Sequence, residues 1–172
     1  IICICETWLD QHITNSELFI KGYKIVRLDR ETRGGGLIFF INSNITYIVE
    51  NHLMLPNLEL LYVSFERKMS KPLQIISLYR PPNSTFKLFL DAFDNFLCNI
   101  DFISNPVLIL GDFNINVNNA ESNQMKQFLK VINSFGLKIH NTNDTRIAKN
   151  SSSRIDLLIS NEKAEKFINK PE

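Results

Sequence analysis

Two segments of the chain are apolar on both faces, and this limits the folds open to it. They are "LELLYVSF" (58–65) and "LQIISLY" (73–79). Strands of this kind lie in a sheet that other layers cover on each side. Short runs with strand-like composition recur along the chain; they are residues 1–5, 24–28, 36–41, 45–49, 58–66, 73–79, 106–110 and 155–159. The sequence therefore predicts a strand-rich, layered protein.

Two other segments have the spacing of amphipathic helices. The first lies within 84–100, with Ser84 or Thr85 as the possible N-cap, and the second within 121–136, where Gly136 is a natural stop. Their apolar stripes predict core packing; they comprise Phe86, Phe89, Leu90, Phe93, Phe96, Leu97 and Ile100, then Met125, Phe128, Leu129, Ile132 and Phe135. Because strands come first and helices interleave later, we predict a mixed-sheet sandwich with outer helices.

Composition indicates a single globular domain but does not identify its partner. A length of 172 residues with 44% hydrophobic and 22% charged residues predicts one domain, and the net charge of +1 gives no bulk positive field for nucleic acid. Cys3, Cys5 and Cys98 have neither the pairing of a disulfide framework nor nearby histidines for zinc. The chain has no apolar run of membrane-spanning length and no signal-peptide pattern. We therefore expect an intracellular protein that is not secreted and does not contact membranes.

Polar side chains recur where the apolar runs end. Glu6 follows the first run, Tyr79 ends another, Asp112 and Asn114 follow "VLILG", and Asp156 lies in "SRIDLLIS". Any one of these would usually be a solvated turn residue or a helix cap. Together they predict an active site, because strand ends in layered α/β folds converge on one edge.

The residue types at these positions indicate phosphoester hydrolysis. Carboxylate and amide oxygens without a histidine or cysteine cluster suit Mg²⁺ or Mn²⁺, which share substrate phosphate oxygens. His12, His52 and His140 stand in no recognisable motif and are interpreted as surface residues. We expect Gly111 to permit a turn that directs the following polar residues toward a phosphate.

The glycine triplet at 34–36 could in principle bind phosphate. No Lys-Ser or Lys-Thr pair follows it, and the next segment reads as a strand instead of a helix, so a P-loop is not indicated. We predict a tight turn in which the backbone approaches a neighbouring segment.

Six motifs stand in an order that resembles the endonuclease/exonuclease/phosphatase superfamily. They are "ETWL" (6–9), "R-x-DRETRGGG" (27–36), "YRPP" (79–82), "GDFN" (111–114), "TR" (145–146) and "RIDLLIS" (154–160). Within that superfamily the chain most resembles the apurinic-type endonuclease domain of jockey-like non-LTR retrotransposons. The resemblance implies an α/β fold, a four-layer sandwich of two mixed sheets flanked by helices. It also implies nicking of DNA with Mg²⁺ or Mn²⁺, in the nucleus or cytoplasm, to prime the reverse transcriptase of the same element.

The resemblance also implies roles for individual residues. Glu6 would bind the metal, Asp112 would orient and deprotonate the attacking water, and Asn114 would help to hold water and phosphate. Tyr79 would contact the scissile phosphate, and Asp156 would orient a catalytic histidine.

Arg80, Thr145 and Arg146 would lie near the DNA backbone or base edges. In the family, a metal-binding asparagine lies on a strand that would precede Ile1, so this chain does not contain it. The family's Ser-Asp-His triplet is also absent from the sequence up to Pro171-Glu172. We therefore expect one incomplete domain, residues 1–172, of marginal stability and with reduced or no activity.

Two other functions stay open. One is a phosphomonoesterase or phospholipid-head-group hydrolase, because the same core chemistry serves those substrates. The other is a non-catalytic protein that keeps the fold and binds DNA or a partner.

Overall fold

The computed structural model describes residues 1–31, 33–148 and 151–168. Thr32 of the "RETRGGG" motif and the terminal Pro171-Glu172 lie outside the described residues. The described chain contains eleven strands, two α-helices and a 3₁₀ helix. The strands are β1 (Ile2–Cys5), β2 (Tyr23–Leu28), β3 (Leu37–Asn42), β4 (Tyr47–Leu55), β5 (Leu58–Arg67), β6 (Ser70–Tyr79), β7 (Val107–Asp112), β8 (Lys138–Ile139), β9 (Arg146–Ala148), β10 (Ser151–Ser153) and β11 (Asp156–Ser160). The helices are α1 (Phe86–Leu97), α2 (Asn123–Ser134) and the 3₁₀ helix Glu162–Phe167.

The strands form two main sheets of unequal size. A six-stranded sheet has the order β4-β5-β6-β7-β11-β8, and it is mixed because β6 and β7 are parallel while their other neighbours are antiparallel. A three-stranded antiparallel sheet has the order β1-β3-β2. Strands β9 and β10 form a separate hairpin. The predicted α/β class, with packed sheets and flanking helices, is confirmed.

Both faces of the six-stranded sheet are covered. On one face, α1 and α2 pack through Phe89, Phe93 and Phe128 against β5, β6 and β7. On the other face, β3 of the three-stranded sheet packs through Leu37 and Phe39. The first eight residues of β5 are all buried, as its two-sided apolar sequence predicts. In the described part of the chain, no helix is long and apolar enough to span a membrane.

The helix ends follow the predicted signals in part. Thr85 is the N-cap of α1, although its side chain makes no capping hydrogen bond. The Ser122 side chain caps α2 by accepting a hydrogen bond from the backbone N–H of Met125 at 3.1 Å. Gly136, with φ of 68°, follows the last turn of α2, so the predicted stop is confirmed.

Gly111 has a different role from the turn that we expected. It lies inside β7, where it pairs with Leu78 of β6 and Leu157 of β11. A Cβ atom at this position would lie 1.8 Å from the Leu78 carbonyl oxygen. Glycine is therefore required because the neighbouring backbone approaches too closely for any side chain.

Candidate active site

Strand register brings three of the predicted residues side by side. Strands β6 and β7 are parallel, and Tyr79 pairs with Asp112 at their carboxyl ends. Strand β11 runs antiparallel to β7, so its first residue, Asp156, pairs with the same Asp112. The three side chains come from separate parts of the sequence, and only the sheet register unites them.

Asp112 and Asn114 form a compact unit just past the end of β7. The Asn114 backbone N–H donates to Asp112 Oδ1 at 2.8 Å, and Asn114 Nδ2 donates to Asp112 Oδ2 at 3.1 Å. Asn114 Nδ2 also donates to the Arg80 carbonyl oxygen at 2.8 Å. Asn114 adopts a φ of 47°, which asparagine tolerates better than most residues. Both side chains are thus fixed relative to β6 as well as β7.

Arg80, which we predicted to lie near DNA, is almost wholly buried in this structure. Only 4% of the Arg80 surface is exposed. Its guanidinium donates hydrogen bonds to the carbonyl oxygens of Asn114 at 2.9 Å and Ser84 at 3.1 Å. The guanidinium also lies over the rings of Phe86 and Phe89. Arg80 therefore holds the Asn114 loop in place, and its charge is buried behind the site. Its contact with DNA stays a prediction.

Glu6 and Tyr79 join the two sheets. The Tyr79 hydroxyl donates to Glu6 Oε1 at 2.6 Å. Burial and the carboxylates of Glu6, Asp112 and Glu59 raise the pKa of Tyr79 well above its usual value. Tyr79 therefore remains a neutral hydrogen-bond donor across the physiological pH range.

The loop after β1 is held by the predicted glycine turn. Thr7 N–H donates to the Gly36 carbonyl oxygen at 3.3 Å, and Trp8 N–H donates to the Gly35 carbonyl oxygen at 2.9 Å. A Cβ atom at Gly36 would lie 2.4 Å from Thr7 Oγ1. The close backbone approach predicted for the triplet is confirmed, and it fixes the position of Glu6.

Glu59 supports this turn and was not identified from the sequence. It is fully buried in β5, where Oε2 accepts a hydrogen bond from Gly36 N–H at 2.7 Å and Oε1 pairs with Arg30. Its β6 neighbour is Tyr79. The one available signal was a carboxylate inside the otherwise apolar "LELLYVSF" segment, because a buried charge needs a specific partner.

Burial and the surrounding carboxylates raise the pKa of Asp112 to about 6. Burial is the main cause, and the nearby charges of Asp156 and Glu6 add to it. The Asn114 N–H and the Arg146 charge act in the opposite direction. The site therefore holds excess negative charge at neutral pH, which a bound cation would neutralise.

The donor chemistry at this edge fits a hard divalent cation. The side chains supply carboxylate and amide oxygens, the ligands that Mg²⁺ and Mn²⁺ prefer. Among residues 1–31, 33–148 and 151–168, no three His, Cys, Asp or Glu side chains are grouped closely enough to hold a metal. Glu6 would thus share the ion with water and substrate oxygens, as is common for Mg²⁺.

The "TR" motif lies next to the start of β11. The Thr145 hydroxyl accepts hydrogen bonds from the backbone N–H groups of Ile155 at 3.2 Å and Asp156 at 3.1 Å. Thr145 therefore fixes the backbone that presents Asp156. Arg146 begins the β9-β10 hairpin and is exposed, close enough for its charge to lower the pKa of Asp112.

Two of the three histidines lie at the surface, as interpreted from the sequence, and the third does not. His12 and His52 are exposed. His140 is half-buried, and its Nε2 is hydrogen-bonded to Ser160 Oγ at 2.7 Å. Ser160 is at the opposite end of β11 from Asp156, so this ring serves the packing of β8 on β11.

Comparisons with known proteins show the family to which the chain belongs. The family model described as Endonuclease-reverse transcriptase matches residues 73–171, more than half of the chain. The chain belongs to this family, within the endonuclease/exonuclease/phosphatase superfamily of hydrolytic nucleases and phosphatases. A search of curated proteins found no match.

The fold is shared with both nucleases and phosphatases of known structure. It is similar to the endonuclease domain of TRAS1, a telomere-specific non-LTR retrotransposon, with a TM-score of 0.68 and 17% identity over 90% of this chain and 73% of that one. It is also similar to the 3′ phosphatase NExo from Neisseria (TM-score 0.61, 15% identity, 93% and 75% covered). ANGEL2, a 2′,3′-cyclic phosphatase, gives a TM-score of 0.60 at 13% identity, with 94% and 69% covered.

Proposed function

We propose that this chain is the DNA endonuclease domain of a non-LTR retrotransposon and that it nicks DNA by metal-dependent phosphodiester hydrolysis. The observation that carries the proposal is the strand register that sets Tyr79 and Asp156 on either side of Asp112. The family and the likeness to the TRAS1 domain support DNA as the substrate. The nick would supply a primer end to the reverse transcriptase region of the same element.

Asp112 is the general base of the proposed reaction. With a pKa of about 6, its carboxylate is ionised at neutral pH and can accept the proton of a water that attacks the phosphorus. The bond from phosphorus to the 3′ oxygen breaks, and the leaving 3′ oxygen takes a proton from solvent. Asn114 holds this carboxylate in place through two hydrogen bonds. Neutral Tyr79 can donate a hydrogen bond to a phosphate oxygen when substrate displaces the bond to Glu6.

Mg²⁺ or Mn²⁺, when bound, would supply Lewis-acid stabilisation of the charge that develops on the phosphate oxygens. Glu6 would hold the ion together with water and substrate oxygens, near the negative charge of Asp112. Asp156, held at its backbone by Thr145, contributes further negative charge at the same edge. Exposed Arg146 would face the DNA backbone.

A phosphatase is the second candidate function. NExo and ANGEL2 share the fold with TM-scores close to that of the TRAS1 domain, and both are described as phosphatases. The two functions need the same chemistry at phosphorus and differ in how the rest of the substrate is bound. Hydrolysis of small phosphate esters without any cleavage of DNA would favour the phosphatase.

The test is nicking of supercoiled plasmid in Mg²⁺, in Mn²⁺ and in EDTA. We expect Asp112→Asn to reduce nicking by about 10²- to 10⁴-fold, because it removes the general base. We also expect the rate to rise with pH until Asp112 is fully ionised, since the base must lose its proton. Asp91→Asn, at an exposed position of α1, is the matched control.

Two results would contradict the proposal. Nicking that persists in EDTA would exclude the metal requirement, and nicking unchanged in Asp112→Asn would exclude this site. A folded chain that binds DNA without cleaving it in either metal would favour the non-catalytic alternative.

A further inference from the structure

The chain's single tryptophan lies beside the candidate active site and is exposed. Trp8 follows Glu6 by two residues, and 57% of its surface is accessible. A lone exposed apolar residue is common on protein surfaces and means little by itself. Two further observations distinguish this one.

The first observation is the backbone conformation of Trp8. Four non-glycine residues of the described chain have positive φ, namely Glu6, Trp8, Met69 and Asn114. Met69 lies in the turn between β5 and β6, while the other three belong to the loops of the candidate site. Strained backbone persists only where the surrounding structure enforces it, and it concentrates at functional sites. The hydrogen bond from Trp8 N–H to Gly35 thus holds the Trp8 backbone in a conformation that an unconstrained loop would avoid.

The second observation is the arginine against the indole. The guanidinium carbon of Arg33 lies 5.4 Å from the centroid of the Trp8 ring, within the range of a cation–π interaction. Arg33 belongs to the same glycine turn that holds Trp8, so one short segment fixes the ring and adds the charge. An aromatic face next to a cation is the combination that binds unpaired bases and their phosphates.

We propose that Trp8 and Arg33 form a subsite for an unpaired base and its adjoining phosphate, on the Glu6 side of the scissile phosphodiester. Bases inside a duplex already stack on both faces, so the indole can stack only on a base that is single-stranded, frayed or extrahelical. The subsite therefore favours DNA that is unpaired near the cleavage point. This inference rests on the proposed endonuclease function and adds a preference for local DNA structure.

Because Trp8 is the only tryptophan, its fluorescence reports directly on the subsite. The full chain is titrated in EDTA with three labelled DNAs: a single strand, a fully paired duplex and a duplex with one bulged base. Anisotropy of the DNA label measures binding, and tryptophan emission measures stacking. We expect quenching by the single strand and the bulged duplex, and much weaker quenching by the paired duplex at equal occupancy.

Variants separate stacking from simple charge attraction. We expect Trp8→Ala to weaken binding of the single strand by about tenfold or more, and Trp8→Phe to retain most of the affinity. Phe19→Ala is the control, because Phe19 is also an exposed aromatic residue. It precedes β2, whose first residue pairs with Asn42, and Asn42 is at the end of β3 that is remote from the glycine turn. Arg33→Ala should weaken binding of all three DNAs and reduce its salt dependence.

The outcomes distinguish this inference from the proposed function. Unchanged tryptophan emission with DNA bound, or equal affinities of Trp8→Ala and the unmodified chain, would refute the subsite and leave the endonuclease proposal standing. Loss of plasmid nicking in Asp112→Asn alongside unchanged emission would likewise refute the subsite alone. Failure of the folded chain to bind any of the three DNAs in EDTA would refute the subsite, whereas failure to nick plasmid in either metal would reject the endonuclease proposal.

Discussion

The two main sheets differ in how firmly they hold their part of the site. In the six-stranded sheet, Ile76 of β6 and Ile109 of β7 are fully buried. In the three-stranded sheet, Ile2 and Ile4 of β1 are 43% and 44% exposed, and β1 pairs only with β3 in the described part of the chain. This difference in exposed fraction corresponds to a loss of roughly 1–2 kcal/mol of hydrophobic stabilisation for each isoleucine side chain.

This difference explains why the site residues are supported in two ways. Tyr79, Asp112 and Asp156 are fixed by the register of buried strands. Glu6 follows an edge strand, so it depends on the glycine turn at 34–36, on buried Glu59 and on its bond from Tyr79. The larger sheet therefore positions the smaller sheet's contribution to the site. An exposed strand edge also invites association, and the expected marginal stability stays a prediction.

The largest effect is expected from a change inside the six-stranded sheet. Gly111→Ala would force a Cβ atom against the Leu78 carbonyl oxygen in a backbone with φ of 145°. Separation of β6 from β7 should lower the free energy of unfolding by about 3–5 kcal/mol, or prevent folding. Urea unfolding followed by circular dichroism would measure it.

Gly22→Ala is the matched control. It also has positive φ, at 84°, but a Cβ atom there meets nothing within 4 Å. Only the backbone strain of about 1 kcal/mol should be seen. If both variants lost the same free energy of unfolding, the close approach of β6 and β7 would not be what requires glycine at position 111.

A smaller effect is expected where the two sheets are connected. Glu59→Gln removes the charge paired with Arg30 but keeps an acceptor for Gly36 N–H. We expect a loss of about 2–3 kcal/mol in unfolding free energy, because breaking a buried ion pair leaves the other charge uncompensated. The metal concentration needed for half-maximal nicking should also rise, because Glu6 loses part of its support.

The control for this change is Glu121→Gln, in an exposed pair with Lys126. Exposed pairs contribute little, so its unfolding free energy should change by less than about 0.5 kcal/mol. If Glu59→Gln were as mild as this control, Glu59 would not connect the sheets energetically.

The smallest effect concerns the pH dependence of stability. The folded structure raises the pKa of Asp112 from 3.8 to about 6, so the stabilising contribution of the protonated carboxyl is complete below pH 3.8 and is lost as pH rises through 6. Asp112→Asn cannot ionise. Relative to the unmodified chain it should therefore gain about 1 kcal/mol at pH 8, allowing for solvent screening.

This gain should disappear near pH 4, where both side chains are neutral. Urea unfolding of the two proteins at pH 4, 6 and 8 would measure the difference. A variant that is less stable than the unmodified chain at pH 8 would show that the Asp112 carboxylate stabilises the fold instead of straining it.

Much of the fold could be predicted because its signals are local. Two-sided apolar runs predicted β5 and β6, and helical spacing predicted α1 and α2. The strands β8, β9 and β10 were missed because each has only two or three residues, too few for a periodic pattern. The burial of Arg80 was not predicted for a related reason. The "YRPP" motif does not indicate whether the guanidinium faces solvent or the carbonyl of Asn114.

The amino-acid sequence was enough to predict which residues end the strands, that their side chains carry oxygen ligands, and which family their motifs resemble. It could not predict which of these residues lie next to each other in the folded protein. Tyr79, Asp112 and Asp156 are adjacent because of hydrogen-bond register between strands that lie far apart in the chain. Burial of Glu59 and the raised pKa of Asp112 arise from the same packing. Such properties depend on the dielectric and charges around a group, which local sequence does not encode.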